Sequence, residues 1–304
     1  MQALPEHMTF IQRGWLSANH VLLKSANETV LIDSAYVSHV DQTLALIGHA
    51  LGGRTLDRLL NTHLHSDHCG GNAALQARYP RLHTAIAPGL SEAVRTWDEA
   101  QLTYLPTGQD CPRFRFDSLL HPGQDLELAG SRWQVHAAPG HDPHSVILFE
   151  PEHGVLISAD ALWENGFGVV FPEIEGEDGF SGIAQTLDLI EQLQPKIVVP
   201  GHGAVFTDVD AALARARKRL EGFQSQPDKH ANHAAKVLLK FKLLDWQQIA
   251  DTELWAWCQG CAFIHELHAR YFAALDPHDW VMQCMADLVK AGAAQRDGAY
   301  WVNA

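Results

Sequence analysis

Asn61-Thr-His-Leu-His-Ser-Asp-His68 puts three imidazoles and a carboxylate within six positions, and the chain as a whole carries 19 histidines in 304 residues. This cluster limits the fold more than any other feature. It follows a short apolar run, Leu56 to Thr62, that reads as a strand. Side chains alternate on extended backbone, so His63 and His65 point to one side. Asp67 and His68 lie just beyond the strand exit, where the chain turns into a helix expected over Gly70 to Arg78, and can face a second centre. Imidazole nitrogens and carboxylate oxygens suit zinc and similar borderline ions. Buried without cations, so many polar groups would need hydrogen-bond partners or would stay in water. A lone histidine is ordinarily a packed or exposed residue. A cluster of this density reads as a ligand set.

Three further elements accompany it: Pro139-Gly-His141, Ser158-Ala-Asp160 and Pro200-Gly-His-Gly203. Each follows an expected strand and places one ligand-type residue at its exit. Small residues beside His141 and His202 leave room for backbone and substrate to approach. In this order the motifs resemble those of the metallo-β-lactamase superfamily, over roughly residues 10–207. The resemblance implies an α/β fold, a four-layer αβ/βα sandwich with metals held between the ends of its sheets. It implies that His63, His65 and His141 hold one metal, that Asp67, His68 and His202 hold the other, and that Asp160 bridges them. Two divalent ions follow, zinc first, with iron or manganese as alternatives. An activated water between them would be the nucleophile, which makes Asp67 (orienting it or relaying its proton) and Asp160 the catalytic candidates. The presence of Asp160 argues for a binuclear hydrolase and against a true β-lactamase.

Paired strands are expected at 20–24 and 29–33, a helix at 37–51 and a strand at 83–87. A second strand set follows at 126–128, 132–137, 145–149 and 154–159, then a helix at 181–193 and a strand at 196–199. From Asp208 the texture changes to helices, at 208–224, 229–244, 246–258, 262–274 and 278–291. A hairpin turning at Asp297-Gly298 follows. Three helices and a hairpin form a winged-helix pattern, so the expected division is a metal hydrolase domain, 1–207, and a smaller helical, winged-helix-like domain, 208–304. Trp255, Trp257, Phe263 and Tyr271 serve either the core of the second domain or an interface. Cys258 and Cys261 read as buried structural thiols. No apolar run is long enough to span a bilayer, and no secretory signal is seen, so the expected compartment is the cytoplasm.

Substrate contacts are expected from His144, which replaces a position often glycine in relatives such as glyoxalase II, and from Trp163 and Phe167 in the glycine-bearing segment after Asp160. Residues 103–116 read as a lid or a solvated loop. The leading expectation is hydrolysis of a small ester, thioester or lactone. The alternatives are an endoribonuclease of the lactamase-β-like type, which joins a similar core to a winged helix, and a mononuclear iron persulfide dioxygenase, which would leave His202 idle. The net charge is −14, and a nucleic-acid binder needs a basic footprint. Only residues 211–242, with eight basic and two acidic side chains, offer one, while the expected recognition helix carries Asp279 and Asp287. The partner is therefore expected to be a small molecule rather than nucleic acid or a membrane, with a homodimer as the candidate assembly.

Overall fold

The computed structural model describes residues 4–304. Its first sheet contains β1 (Met8–Ile11), β2 (His20–Lys24), β3 (Thr29–Ile32), β4 (Arg58–Asn61), β5 (His83–Ile86) and β6 (Ser118–Leu119), side by side in chain order. Strands β1 to β3 pair antiparallel, and β3 to β6 pair parallel. The second sheet contains β7 (Asp125–Leu128), β8 (Ser131–Ala137), β9 (Val146–Glu150), β10 (Val155–Ala159) and β11 (Ile197–Pro200), in the order β11-β10-β9-β8-β7. Only its β10–β11 pair is parallel.

Both faces of each sheet are covered, so the central strands are apolar throughout rather than alternating with polar residues. Val21, Leu23, Val30, Ile32 and Leu60 of the first sheet share one core with Val135, Val146, Leu148, Ile157 and Val199 of the second. The intervening residues point outward. Leu22, Leu31 and Leu59 meet helix Val40–Leu51 and helix Asn72–Arg78. On the other side Ile147, Leu156 and Val198 meet helix Gly179–Leu193. Each fully buried Leu, Ile or Val is worth roughly 1.5–3 kcal/mol relative to exposure. The result is the expected helix–sheet–sheet–helix sandwich. Helix Val209–Ser225, the first element past 207, packs Ala212, Leu213, Ala216 and Leu220 onto the same outer layer.

The remaining helices, Pro227–Trp246, Asp251–Gly260, Ala262–Tyr271 and Pro277–Lys290, enclose a separate core around Leu239, Leu243, Leu267 and Met285. A three-stranded sheet covers one side: β12 (Gln248–Ala250), β13 (Ala294–Asp297) and β14 (Tyr300–Asn303), in the order β12-β14-β13. The hairpin is where the sequence places it. The helix expected over 246–258 is instead broken, because Gln247 adopts φ 63° and the next three residues pair with β14. This region grips the sandwich through several contacts. Val169 and Ile174 enter its core, while Trp257 Nε1 donates to the Gly108 carbonyl at 3.2 Å and Cys261 Sγ donates to that of Pro106 at 3.4 Å. The stretch 103–116 is thus packed in part rather than a solvated loop. Tyr104, Cys111 and Phe114 are buried in a cluster with Leu64 and Val94.

Candidate metal centre

Strand exits supply the chemistry. His63 and His65 follow β4, His141 lies in the loop between β8 and β9, Asp160 follows β10 and His202 follows β11. A register shift between Ile157 and Ala159, with Ala159 at φ 46°, turns Asp160 out of its strand. Asp67 and His68 sit on the one-turn helix Ser66–Cys69. The side chains converge as two adjacent sets: His63, His65 and His141, and Asp67, His68, Asp160 and His202, each with ligand atoms within 4.8 Å of one another. Asp160 faces both, with Oδ2 3.5 Å from His141 Nε2 and Oδ1 3.5 Å from His68 Nε2. All seven residues named by the sequence motifs therefore meet at one place.

The surrounding shell holds the rings in orientation. His68 Nδ1 lies 2.8 Å from Asp33 Oδ2, and the same carboxylate accepts from the Thr62 amide and hydroxyl. His141 Nδ1 is 2.5 Å from the Val169 carbonyl. Carboxylate and carbonyl partners of this kind fix which ring nitrogen faces a metal. Asn61 and Asn72 bond each other, and Asn61 also donates to the His68 carbonyl. The N-terminal loop ties the two halves together: the Ala18 amide donates to the Asp67 carbonyl and the Asn19 amide to that of Gly201. Two glycines make room as the sequence suggests, but for neighbouring parts of the chain rather than for substrate. A Cβ on Gly201 would lie 2.2 Å from Asp160 Oδ1, so this residue makes room for a donor. A Cβ on Gly140, at φ 132°, would strike Ile183, so that glycine admits a helix rather than a substrate.

Two polar atoms with no hydrogen-bond partner point to what is needed here. His63 Nε2 and His68 Nε2 are buried and make no hydrogen bond within the protein. Orphaned buried imidazole nitrogens are rare unless something binds them, and these belong to the two sets of oxygen and nitrogen donors that suit a borderline divalent ion.

Residues 13–202 match the metallo-beta-lactamase superfamily. The chain belongs to that superfamily. Among its curated relatives, a hydroxyacylglutathione hydrolase from Synechococcus sp. (strain JA-3-3Ab) is 31% identical over 77% of this chain and 80% of its own length. A beta-lactamase-like protein 2 homolog from Drosophila melanogaster is 27% identical over 73% and 74%. A solved metallo-beta-lactamase family protein from Thermus thermophilus aligns over 99% of this chain and 100% of its own, with 22% identity and a TM-score of 0.59, a likeness of fold that includes the C-terminal region. The chain is accordingly a metal-dependent hydrolase of the metallo-β-lactamase superfamily, and its His and Asp clusters fit a binuclear site.

Electrostatics separate the two sets. Burial, reinforced by the neighbouring rings, pushes His63 well below the ordinary imidazole range, and burial likewise takes His65 to about 4. Both are neutral at pH 7, the form that ligates a cation. Burial alone would raise Asp67 and Asp160, but His68 and His202 outweigh it and keep both carboxylates ionised. Burial would lower His68, yet Asp67, Asp160 and Asp33 together hold it well above its usual value. The first set thus includes two rings held neutral, His63 and His65, whereas the second pairs two ionised carboxylates with a cationic His68 whose proton a bound cation would replace.

Both sets open into one cavity of about 700 Å³, lined by His65, Asp67, His141, Asp160 and His202. Trp163 lies in its wall, as the sequence suggests, and its indole donates to Asp160 Oδ1 at 3.2 Å. Phe167 and His144 are placed elsewhere. Phe167 is buried in the outer core against Phe223, and His144 is exposed, its ring packed over Gly89. Sequence reasoning missed Trp15, whose ring stacks on His202 with centroids 5.3 Å apart and planes 9° from parallel. It also missed Asp33, and no local signal marks either residue: one precedes the first motif by 48 positions and the other by 30.

Proposed function

We propose that the protein hydrolyses a small carboxylic ester, thioester or lactone, using two divalent ions, zinc first, held by His63, His65 and His141 and by Asp67, His68, Asp160 and His202. The observation that carries this reading is the pair of adjacent donor sets sharing Asp160 at the floor of a cavity sized for a small molecule. Bound there, the ions would supply Lewis acidity and a water made acidic enough to attack near neutral pH. The chain's own groups position and polarise. Asp67, 3.0 Å from His202 Nε2 through its Oδ2, keeps a carboxylate at the cavity floor where a proton can be accepted. Trp163 holds Asp160 in place, and Trp15 and Trp163 keep bulk water from one side of the floor. Relatives named hydroxyacylglutathione hydrolase, which cleave a thioester, support the reaction class.

The nuclease alternative has the helix-and-hairpin region in its favour. The basic segment weakens it, because that charge is largely spent within the chain. Arg217 pairs with Asp188 and Glu191, Arg215 donates to the Glu164 carbonyl, and Lys236 pairs with Asp287. The helix Pro277–Lys290 leaves Asp279 exposed, an unfavourable surface for phosphates. A mononuclear dioxygenase has no use for a second donor set built around Asp67 and His202.

Metal content followed by a hydrolysis panel on one preparation tests the proposal. Two ions per chain with turnover of a carbonyl ester, lost in Asp160→Ala, is the expected result. One iron per chain, or cleavage of RNA alone, overturns it.

A further inference from the structure

The cavity does not end at the donors. It runs on to helix Pro227–Trp246, where Val237, Phe241 and Leu244 line it from one face, spaced four and three residues apart. Phe171 and Trp15 line it nearer the floor. We infer that this extension holds an apolar acyl chain, so that the substrates are neutral esters or thioesters carrying a medium-length aliphatic or aryl acyl group, rather than polyanionic thiol conjugates. This rests on the hydrolase reading above and deepens it.

Two observations carry the inference. First, Trp15 and Val237 rank among the exposed large apolar side chains, at 55% and 36% exposure, and both belong to this cavity. Exposed apolar surface gathered around a concave site marks a place that something apolar covers. Second, the cations in the wall are already engaged. Lys240 Nζ donates to the Ala293 carbonyl and to Asn303 Oδ1, both at 2.5 Å. Lys236 Nζ is 3.4 Å from Asp287 Oδ2. Arg219 reaches the Asn165 carbonyl and His233 Nε2, each at 3.3 Å, and lies over the Phe167 and Phe223 rings. A conjugate with two free carboxylates would have to compete for these cations and approach Asp287 and Glu164, which line the same cavity. An alkyl chain needs no partner and gains from leaving water.

The test uses the metal-loaded enzyme and neutral N-acetylcysteamine thioesters from acetyl to decanoyl, with S-lactoylglutathione alongside. Burial of each methylene predicts a rise in kcat/KM of about fourfold per carbon until the cavity is full, carried mostly by KM. Val237→Asp is expected to cut the octanoyl-to-acetyl ratio at least about tenfold, whereas Val237→Leu retains it. Val237 sits part-exposed on a helix surface, and the wild-type series reads out the inference without any variant. Turnover with a flat chain-length series, a preference for S-lactoylglutathione over octanoyl, or an unchanged ratio in Val237→Asp overturns the acyl-chain assignment alone. Inert thioesters beside an active ester or lactone also overturn this inference alone, and no turnover of any ester, thioester or lactone overturns the hydrolase reading and this inference with it.

Discussion

At the donor end of the sandwich, Asp33, Asn61, Thr62, Ser66, His68 and Asn72 are buried together, whereas residues 227–304 bury only His230 and Lys242 among their polar side chains. The two regions are held by different forces. Polar burial must be satisfied group by group, so each position depends on a named partner. Apolar burial is non-directional and tolerates exchange of shape at nearly constant volume. A metal centre built the first way can keep its geometry while a wall built the second way changes to suit another substrate. If that division holds, changes at the donor end should abolish function in a partner-specific manner, and changes behind it should be graded.

Asp160→Ala gives the largest expected effect. It removes the carboxylate that faces both sets, and several kcal/mol of charge stabilisation corresponds to about three orders of magnitude in kcat/KM. Metal analysis should find fewer than two ions per chain, while amide-exchange protection in helix Pro277–Lys290 stays as in the wild type. Loss of protection there as well would show that the regions are one cooperative unit and would break the comparison. Asp33→Ala comes next. Asp33 belongs to neither donor set, yet its loss frees His68 Nδ1 and should weaken metal affinity about 10- to 100-fold. Competition with a chelator measures this, and an affinity unchanged within about twofold would mean that Asp33 serves only the Thr62 turn.

A matched pair sharpens the contrast further. Gly201→Ala adds one methyl where its Cβ meets Asp160 and His68, so overpacking should cost about 1–3 kcal/mol and lower metal content too. Met285→Leu in the helical core changes shape at similar volume, and should cost less than about 1.5 kcal/mol with metal content intact. Thermal melts and metal analysis of the two variants decide whether tolerance follows the region or only the size of the change.

The same physics explains what could be read from the sequence. The ligand cluster was legible because His63, His65, Asp67 and His68 are neighbours in the chain and the other three donors each follow a strand. Asp33 was not, since only the parallel register of β3 and β4 brings it beside Thr62 and His68. His144 and Phe167 lie on irregular backbone, where no periodicity says which way a side chain points. Strand β12 is three residues long and exists through pairing with β14, some fifty residues later. The glycines beside His141 and His202 were correctly read as making space, but which neighbour fills that space depends on the packing of helix Gly179–Leu193 and on the path of β10.

The last expected effect is conditional on pH and lies on the seam between the two regions. His230 Nε2 accepts from the Val170 amide at 3.1 Å, and the ring packs between Phe180 and Phe223. Burial, with Arg219 nearby, depresses it to about 4. In the unfolded chain it titrates near about 6.5, so between these values the unfolded state binds more protons than the folded one. The stabilisation is therefore complete above about pH 6.5 and lost as pH falls toward 4, and it amounts to at most about 3 kcal/mol. His230→Gln keeps an acceptor for Val170 without the titration. Urea unfolding of the metal-loaded protein at pH 7, 6 and 5 should show a shallower loss of stability in the variant. Equal slopes would mean that the ring stays neutral in both states or finds water when charged, and the seam would then belong with the tolerant region rather than the donor end.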